Sequence, residues 1–319
     1  MSSISGGIRY HFAHATHRGM VREQNEDAVA IAEQVGLALI ADGMGGYNAG
    51  EVASGLAAEF LVTHLVDDLE QLHRQSPARE DAPSQRLLHS LLRARVDGAN
   101  DAIIDAANRN PDLNGMGTTL ALLLFTGPVV TTLHVGDSRV YRLREGGLSL
   151  LTRDHSLLQE QIDAGVLTPG EARMSINRNF VTRALGVDVL AEPEINEYDL
   201  APGDLYLICS DGLPDMLSDE EIYDLLRGPV DDDDFDDEIE GKANGEVDSE
   251  GSTDRGADRM VAEVAALEEM AAKLVDAANG HGGRDNVSVV LASVGWSHEE
   301  GGMDEGLAID RDKRASRRA

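Results

Sequence analysis

Asp42 interrupts the chain where a carboxylate can do chemistry. The run Leu37-Ala38-Leu39-Ile40-Ala41 has the length and apolarity of a buried strand, and Asp42-Gly43-Met44-Gly45-Gly46 follows at once as a glycine-rich turn. A strand that ends this way delivers a carboxylate to its tip, and Gly43 lets the backbone approach a ligand closely. A carboxylate beside a main-chain carbonyl is what a hard cation takes. The construction recurs. Glu26-Asp27 stand at the start of a strand, Asp137 follows the apolar run 129–135, Asp211-Gly212 follows 205–210, and Asp285 precedes the run 287–291. These positions either converge at one rim of a sheet sandwich or are unrelated turn-capping residues. Converging carboxylates would repel strongly unless cations sat between them. The donor set is all oxygen, which selects magnesium or manganese over zinc. Two such ions sharing a carboxylate suit phosphoryl chemistry, acidifying a water and screening the phosphate. A guanidinium to grip that phosphate is at hand in Arg22, four residues before Glu26.

The elements that must position these groups alternate in character. Strands are expected at 11–18 and 28–35, then a helix over 51–69 with Val52, Leu56, Phe60 and Val66 near one face. A second helix, 85–108, carries the apolar stripe Leu88, Leu91, Leu92, Val96, Ala99 and Ile103 and stops before Asn110-Pro111. Strands at 118–125, 129–135, 140–144 and 148–151 are joined by links short enough for antiparallel hairpins. Small helices at 154–164 and 168–174, strands at 194–200 and 205–210, and a helix capped by Ser218 follow. A third long helix, 259–278, and a strand, 286–294, close the pattern. Long helices segregated from runs of antiparallel strands read as α+β. One domain is expected over 8–296, interrupted by a disordered acidic insertion at 228–258 and followed by a polar, disordered tail at 297–319.

Composition bounds the partners. The 319 residues carry 58 acids against 27 bases, a net charge of −31, which repels nucleic acid and anionic membrane. The insertion holds 13 acids and 2 bases, so the excess is spread over the rest of the chain as well. No apolar run reaches the length of a membrane span, and no basic segment followed by an apolar one opens the chain. A soluble, cytoplasmic protein is expected. The single cysteine, Cys209, excludes an internal disulfide framework, and its apolar neighbours make it a buried, inert thiol.

Seven motifs carry a resemblance. In order they are Arg22-Glu23-Gln24-Asn25-Glu26-Asp27, Ala41-Asp42-Gly43-Met44-Gly45-Gly46, Gly115-Met116-Gly117-Thr118-Thr119, Val135-Gly136-Asp137-Ser138-Arg139, Leu151-Thr152-Arg153-Asp154-His155-Ser156, Ser210-Asp211-Gly212-Leu213 and Arg284-Asp285-Asn286-Val287-Ser288. From about residue 10 to 294, the insertion excepted, the chain resembles the bacterial branch of the PPM family, the metal-dependent (type 2C) serine/threonine protein phosphatases. The resemblance implies a four-layer α-β-β-α sandwich, two central antiparallel sheets flanked by helix pairs. It implies two manganese or magnesium ions per chain, with a third, weaker site. Asp42 would bridge two metals and the Gly43 carbonyl bind one. Asp211 and Asp285 would complete the first site, and Asp27 would serve the second, with Glu26 acting directly or through water. Asp137 with Asp211 would hold the third metal, Arg22 would bind phosphate, and residues 156–185 would form a mobile flap.

Animal members carry a histidine as general acid where this chain has Met44, which cannot donate a proton. His155 is expected to serve structure, and no general acid is assigned. The reading is a monomeric phosphatase of phosphoserine and phosphothreonine in proteins, opposing a bacterial serine/threonine kinase. The alternative is a non-catalytic module that binds phosphoprotein or metal.

Overall fold

The computed structural model describes residues 4–5, 8–46, 49–75, 85–173, 175, 180–227 and 252–296. Among these, the strands are β1 (Ile4–Ser5), β2 (Ile8–His17), β3 (Asp27–Ala32), β4 (Leu37–Met44), β5 (Gly117–Thr118), β6 (Leu120–Thr126), β7 (Val129–Val135), β8 (Arg139–Arg144), β9 (Gly147–Leu150), β10 (Glu194–Asp199), β11 (Leu205–Cys209) and β12 (Val287–Trp296). The helices are α1 (Ala49–Gln75), α2 (Gln85–Arg109), α3 (Leu157–Asp163), α4 (Pro169–Arg173), α5 (Asp219–Arg227) and α6 (Ser252–Gly280).

The strands form two antiparallel sheets. One runs β1-β2-β12-β11-β8-β9 and the other β10-β7-β6-β4-β3, with β5 adding a short pair to β4. Period-two alternation explains why β4 is apolar at every position up to Asp42. Leu37, Leu39 and Ala41 pack toward α1 and α2, while Ala38 and Ile40 face the other sheet. In β11, Leu207 and Cys209 pack toward α5 and α6, and Tyr206 and Ile208 point between the sheets. Stacked Tyr10 and Phe125 rings, 5.1 Å between centroids, join the two sheets. The result is the α+β four-layer sandwich expected from the sequence.

Several element boundaries differ from expectation. The first helix runs to Gln75 because Leu69 and Leu72 continue its buried stripe. The strand expected at 28–35 ends at Ala32 in a 3-10 turn, Glu33–Val35, closed by Gly36 in the left-handed region. The strand expected at 118–125 breaks at Thr119, whose side chain is engaged at the site described below. The third long helix begins at Ser252, seven residues before the expected start at 259. Arg255, Ala257 and Arg259 are good helix formers, and acids near a helix start are favoured there. The remainder of the expected insertion, 228–251, and the tail, 297–319, lie outside the described residues.

Candidate metal centre and active site

Antiparallel pairing brings the carboxylates to one rim. Asp27 opens β3 directly opposite Asp42 of β4. Asp211 leaves β11 where Asp285 leads into β12, tied there by the Ser210 N–H to Ser288 carbonyl bond of 3.1 Å. Asp137 lies in the β7–β8 turn, whose Ser138 hydroxyl is 2.7 Å from the Thr119 hydroxyl. One sheet thus supplies Asp27 and Asp42, and the other Asp211 and Asp285.

Electrostatics records the crowding. Burial first, then the charges of Asp27, Asp211, Asp137 and Asp285, hold the Asp42 carboxyl well above the usual range. Asp211 is pushed the same way by burial and by Asp137, Asp285 and Asp215. Burial lifts Asp27 to about 6 against the opposing hydroxyls of Ser288 and Ser210. Asp137 rises to about 7, again chiefly by burial, with Asp154 adding to it.

Two buried carboxylate oxygens, Oδ1 of Asp27 and Oε1 of Glu26, meet no donor. Orphaned acceptors among mutually repelling carboxylates suit divalent cations, and the oxygen-only donor set suits magnesium or manganese. The residues fit the group.

Each ligand candidate is held by its surroundings. Asp42 has its carbonyl bonded by the Thr119 N–H and the Thr118 hydroxyl, both at 2.9 Å, and its N–H donates to the Thr119 hydroxyl at 3.1 Å. A side chain at Gly43 would strike the Gly50 carbonyl, so only glycine brings this carbonyl to the rim. Glu26 lies against Gly50 at the start of α1, and burial raises its carboxyl against the opposing charge of Arg22 and the nearby Gly50 N–H. Arg22 donates Nη2 to Asp285 at 2.7 Å, and its half-exposed guanidinium reaches the rim with further N–H donors.

Sequence reasoning missed the groups that orient these ligands. Asp27 Oδ2 accepts from the Ser288 hydroxyl at 2.6 Å and the Ser210 hydroxyl at 2.9 Å, and both serines are fully buried. Thr16 joins the set through Ser288 at 2.7 Å. Asn286 binds the 18–26 turn to β12, donating to the Arg18 and Gln24 carbonyls and accepting from Glu26 N–H at 2.9 Å. A usable signal existed, since a hydroxyl residue or asparagine neighbours Asp137, Asp211 and Asp285 in the chain.

Beside Asp137 and Asp211 opens a cavity of about 410 Å³, bounded by α3 and the 211–219 turn and lined also by Asp154, Asp215 and Asp219. Arg139 is not available to a phosphate there, because it grips Asp154 in a fork at 2.6 and 2.9 Å and also donates to Tyr141. The segment expected as a flap is tied at its base by Ser156 pairing with Val181 and Thr118 with Leu185. Residues 174 and 176–179 within it lie outside the described residues.

His155 has the structural role expected of it. Its Nδ1 accepts the Gly136 N–H at 3.1 Å, and its ring stacks on His134 at 4.6 Å. Burial, with His134 and Arg183 adding to it, lowers His155 to about 4, so it is neutral at pH 7. Among the described residues, His134, His155 and Glu194 have ligand atoms within 4.8 Å of one another. The accepting Nδ1 leaves the His155 proton on Nε2, so the trio lacks the second imidazole lone pair that a metal would need.

Residues 15–236 match the family model described as protein phosphatase 2C. The chain belongs to the protein phosphatase 2C family. It is 38% identical over 295 residues to the serine/threonine protein phosphatase PstP of Mycobacterium tuberculosis, covering 92% of this chain and 46% of that one. The chain therefore spans about half the length of the mycobacterial relatives it matches. It is 31% identical over 284 residues to the serine/threonine phosphatase stp of Listeria welshimeri, covering 88% and 94% of the two chains. Among solved structures, the PstP catalytic domain in complex with two manganese ions aligns at 34% identity and a TM-score of 0.68, covering 90% of this chain and 99% of that one. Stp1 from Staphylococcus aureus aligns at 28% identity and a TM-score of 0.69, covering 91% and 97%. The protein phosphatase 2C family is metal-dependent, in keeping with the oxygen cluster at this rim.

Proposed function

We propose that this chain hydrolyses phosphoserine and phosphothreonine in proteins, using two magnesium or manganese ions held at the rim and a third, weaker one. The observation that carries the reading is the meeting of Asp27, Asp42, Asp137, Asp211 and Asp285 with Arg22 in a protein phosphatase 2C chain. Asp27, Asp42, Asp211 and Asp285, with the Gly43 carbonyl, would hold the two main ions, and Asp137 with Asp211 would hold the third. Glu26, turned toward Gly50, acts through water.

Bound divalent ions supply positive charge for the phosphoryl oxygens and acidify water, so in-line attack needs no protein nucleophile. Arg22 orients the phosphate while Asp285 keeps its guanidinium in place. Cys209 takes no part, since burial raises its thiol to about 12. Met44 cannot protonate the leaving alcohol, and His155 is neutral, with its Nδ1 committed to the Gly136 N–H.

The proposed enzyme is one domain over 8–296, acting as a cytoplasmic monomer against a serine/threonine kinase. The lone buried cysteine suits a reducing compartment, and among the described residues no helix is long and apolar enough to cross a membrane.

The test is hydrolysis of a phosphothreonine peptide with manganese, with magnesium and with excess chelator, by wild type, Asp42→Asn and Asp211→Asn. Turnover that needs metal and falls at least about 100-fold in both variants supports the reading. A folded, metal-loaded wild type without turnover overturns it in favour of a non-catalytic phosphoprotein-binding module.

A further inference from the structure

The loop 186–191 shows aliphatic side chains to solvent although it is rigidly held. Leu185 and Ala191 on either side are buried, while Val187, Val189 and Leu190 are 60%, 84% and 65% exposed. Single exposed aliphatics are ordinary, but three within four residues form a patch.

The backbone beneath them is pinned by Asn100 of α2, itself buried. Its Nδ2 donates to the carbonyls of Asp188 at 2.9 Å and Val189 at 3.3 Å, and its Oδ1 accepts the Gly186 N–H at 2.7 Å. Gly186 takes φ +85° against Ile103, where a side chain would clash. Leu185 is bonded both ways to Thr118, at 2.8 and 3.0 Å. A side-chain amide is thus committed to presenting these aliphatics at a fixed place.

That place adjoins the metal rim. Thr118 pairs with Gly43, and Gly117 with Met44. A Cβ built on Gly117 would lie 2.9 Å from Val187 Cγ2 and 3.7 Å from Met44 Cγ, so the two side chains flank the same glycine. The acidic cavity beside Asp137 and Asp211 also borders the rim, and none of residues 186–191 lines it, so the site has a charged and an aliphatic flank.

We propose that loop 186–191, with Met44, docks an apolar side chain of the phosphoprotein substrate close in sequence to the phosphorylated residue. The proposal rests on the phosphatase reading and adds a substrate preference to it. The occupant is a polypeptide segment because the patch is continuous with the phosphate site through Met44 and Gly43.

The experiment compares manganese-loaded wild type on phosphothreonine peptides of Gly and Ser that carry Leu at one position from four before to four after the phosphoresidue. An all-Gly/Ser peptide and para-nitrophenyl phosphate are run alongside. One Leu position should raise kcat/KM about tenfold through KM, and the double variant Val187→Ser, Leu190→Ser should lose that preference at an unchanged melting temperature. Equal kcat/KM for all peptides, with para-nitrophenyl phosphate turned over, overturns the docking proposal alone. No turnover of any substrate overturns the phosphatase reading and the docking proposal with it. A dimer in sedimentation that the double variant splits would assign the patch to a second copy of the chain and overturn the proposal.

Discussion

Asp27 is useful only if one of its oxygens faces a cation while the other is held. Ser288 and Ser210 do the holding from the opposite sheet, and Oδ1 is left without a donor. Loss of such a supporting hydroxyl weakens metal binding by roughly 10- to 100-fold in comparable sites. Ser288→Ala should therefore weaken manganese binding, measured calorimetrically, by about that factor, and Ser288→Thr should restore most of it. Equal affinity in wild type and Ser288→Ala would show that the hydroxyl does not orient the ligand. The carboxylates were legible in the sequence because each breaks or borders an apolar run, where a charge is out of place. The serines were not, since a small hydroxyl inside a strand raises no such alarm and its partner lies 261 residues away in the chain.

Elements were legible wherever burial imposes a period. β4 and β11, covered on both faces, read as unbroken apolar runs, and α2 reads as a stripe at helical spacing. Ends were less so. The break between β5 and β6 comes from Thr119 turning its hydroxyl to the Asp42 N–H and Ser138, a long-range demand that local sequence does not announce. The start of α5 was legible because its chemistry is local. Ser218 accepts the Glu221 N–H at 3.3 Å, and Glu221 takes the Ser218 N–H and hydroxyl at 2.8 Å. Ser218→Ala should cost about 1 kcal/mol, lowering the melting temperature by roughly 2–4 °C in a domain of this size. An unshifted calorimetric transition would mean that α5 is held by its packing alone.

Across the whole molecule, the site is held at the expense of stability. Asp27 and Asp137, lifted to about 6 and 7, and Asp42 and Asp211, also held well above the usual carboxylate range, keep protons in the folded state that the unfolded chain releases near pH 4. The metal-free fold thus binds more protons than the unfolded chain above about pH 4, and stability falls as pH rises through the folded values. Chelated protein should melt several degrees lower at pH 7.5 than at pH 5.5, and saturating manganese should reverse that order by replacing the protons. A chelated protein whose melting temperature rises over the same interval would contradict the crowding. The sandwich itself was legible from segregated helices and hairpin-spaced strands. The strand order was not, because β12 comes from the far end of the sequence to lie between β2 and β11.

That placement has a consequence for the protein during its own synthesis. A nascent chain extended through α6 already carries Asp27, Asp42 and Asp211, yet one of its two sheets is split, with β2 on one side of a gap and β11 on the other. Asp285, Asn286 and Ser288 all arrive with the strand that fills the gap. Until that segment has left the ribosome the rim is missing a ligand, a brace and half of its framework. A nascent chain in which β12 has not yet emerged therefore lacks the complete rim that the proposed activity needs, and gains it in one step when β12 slots into place.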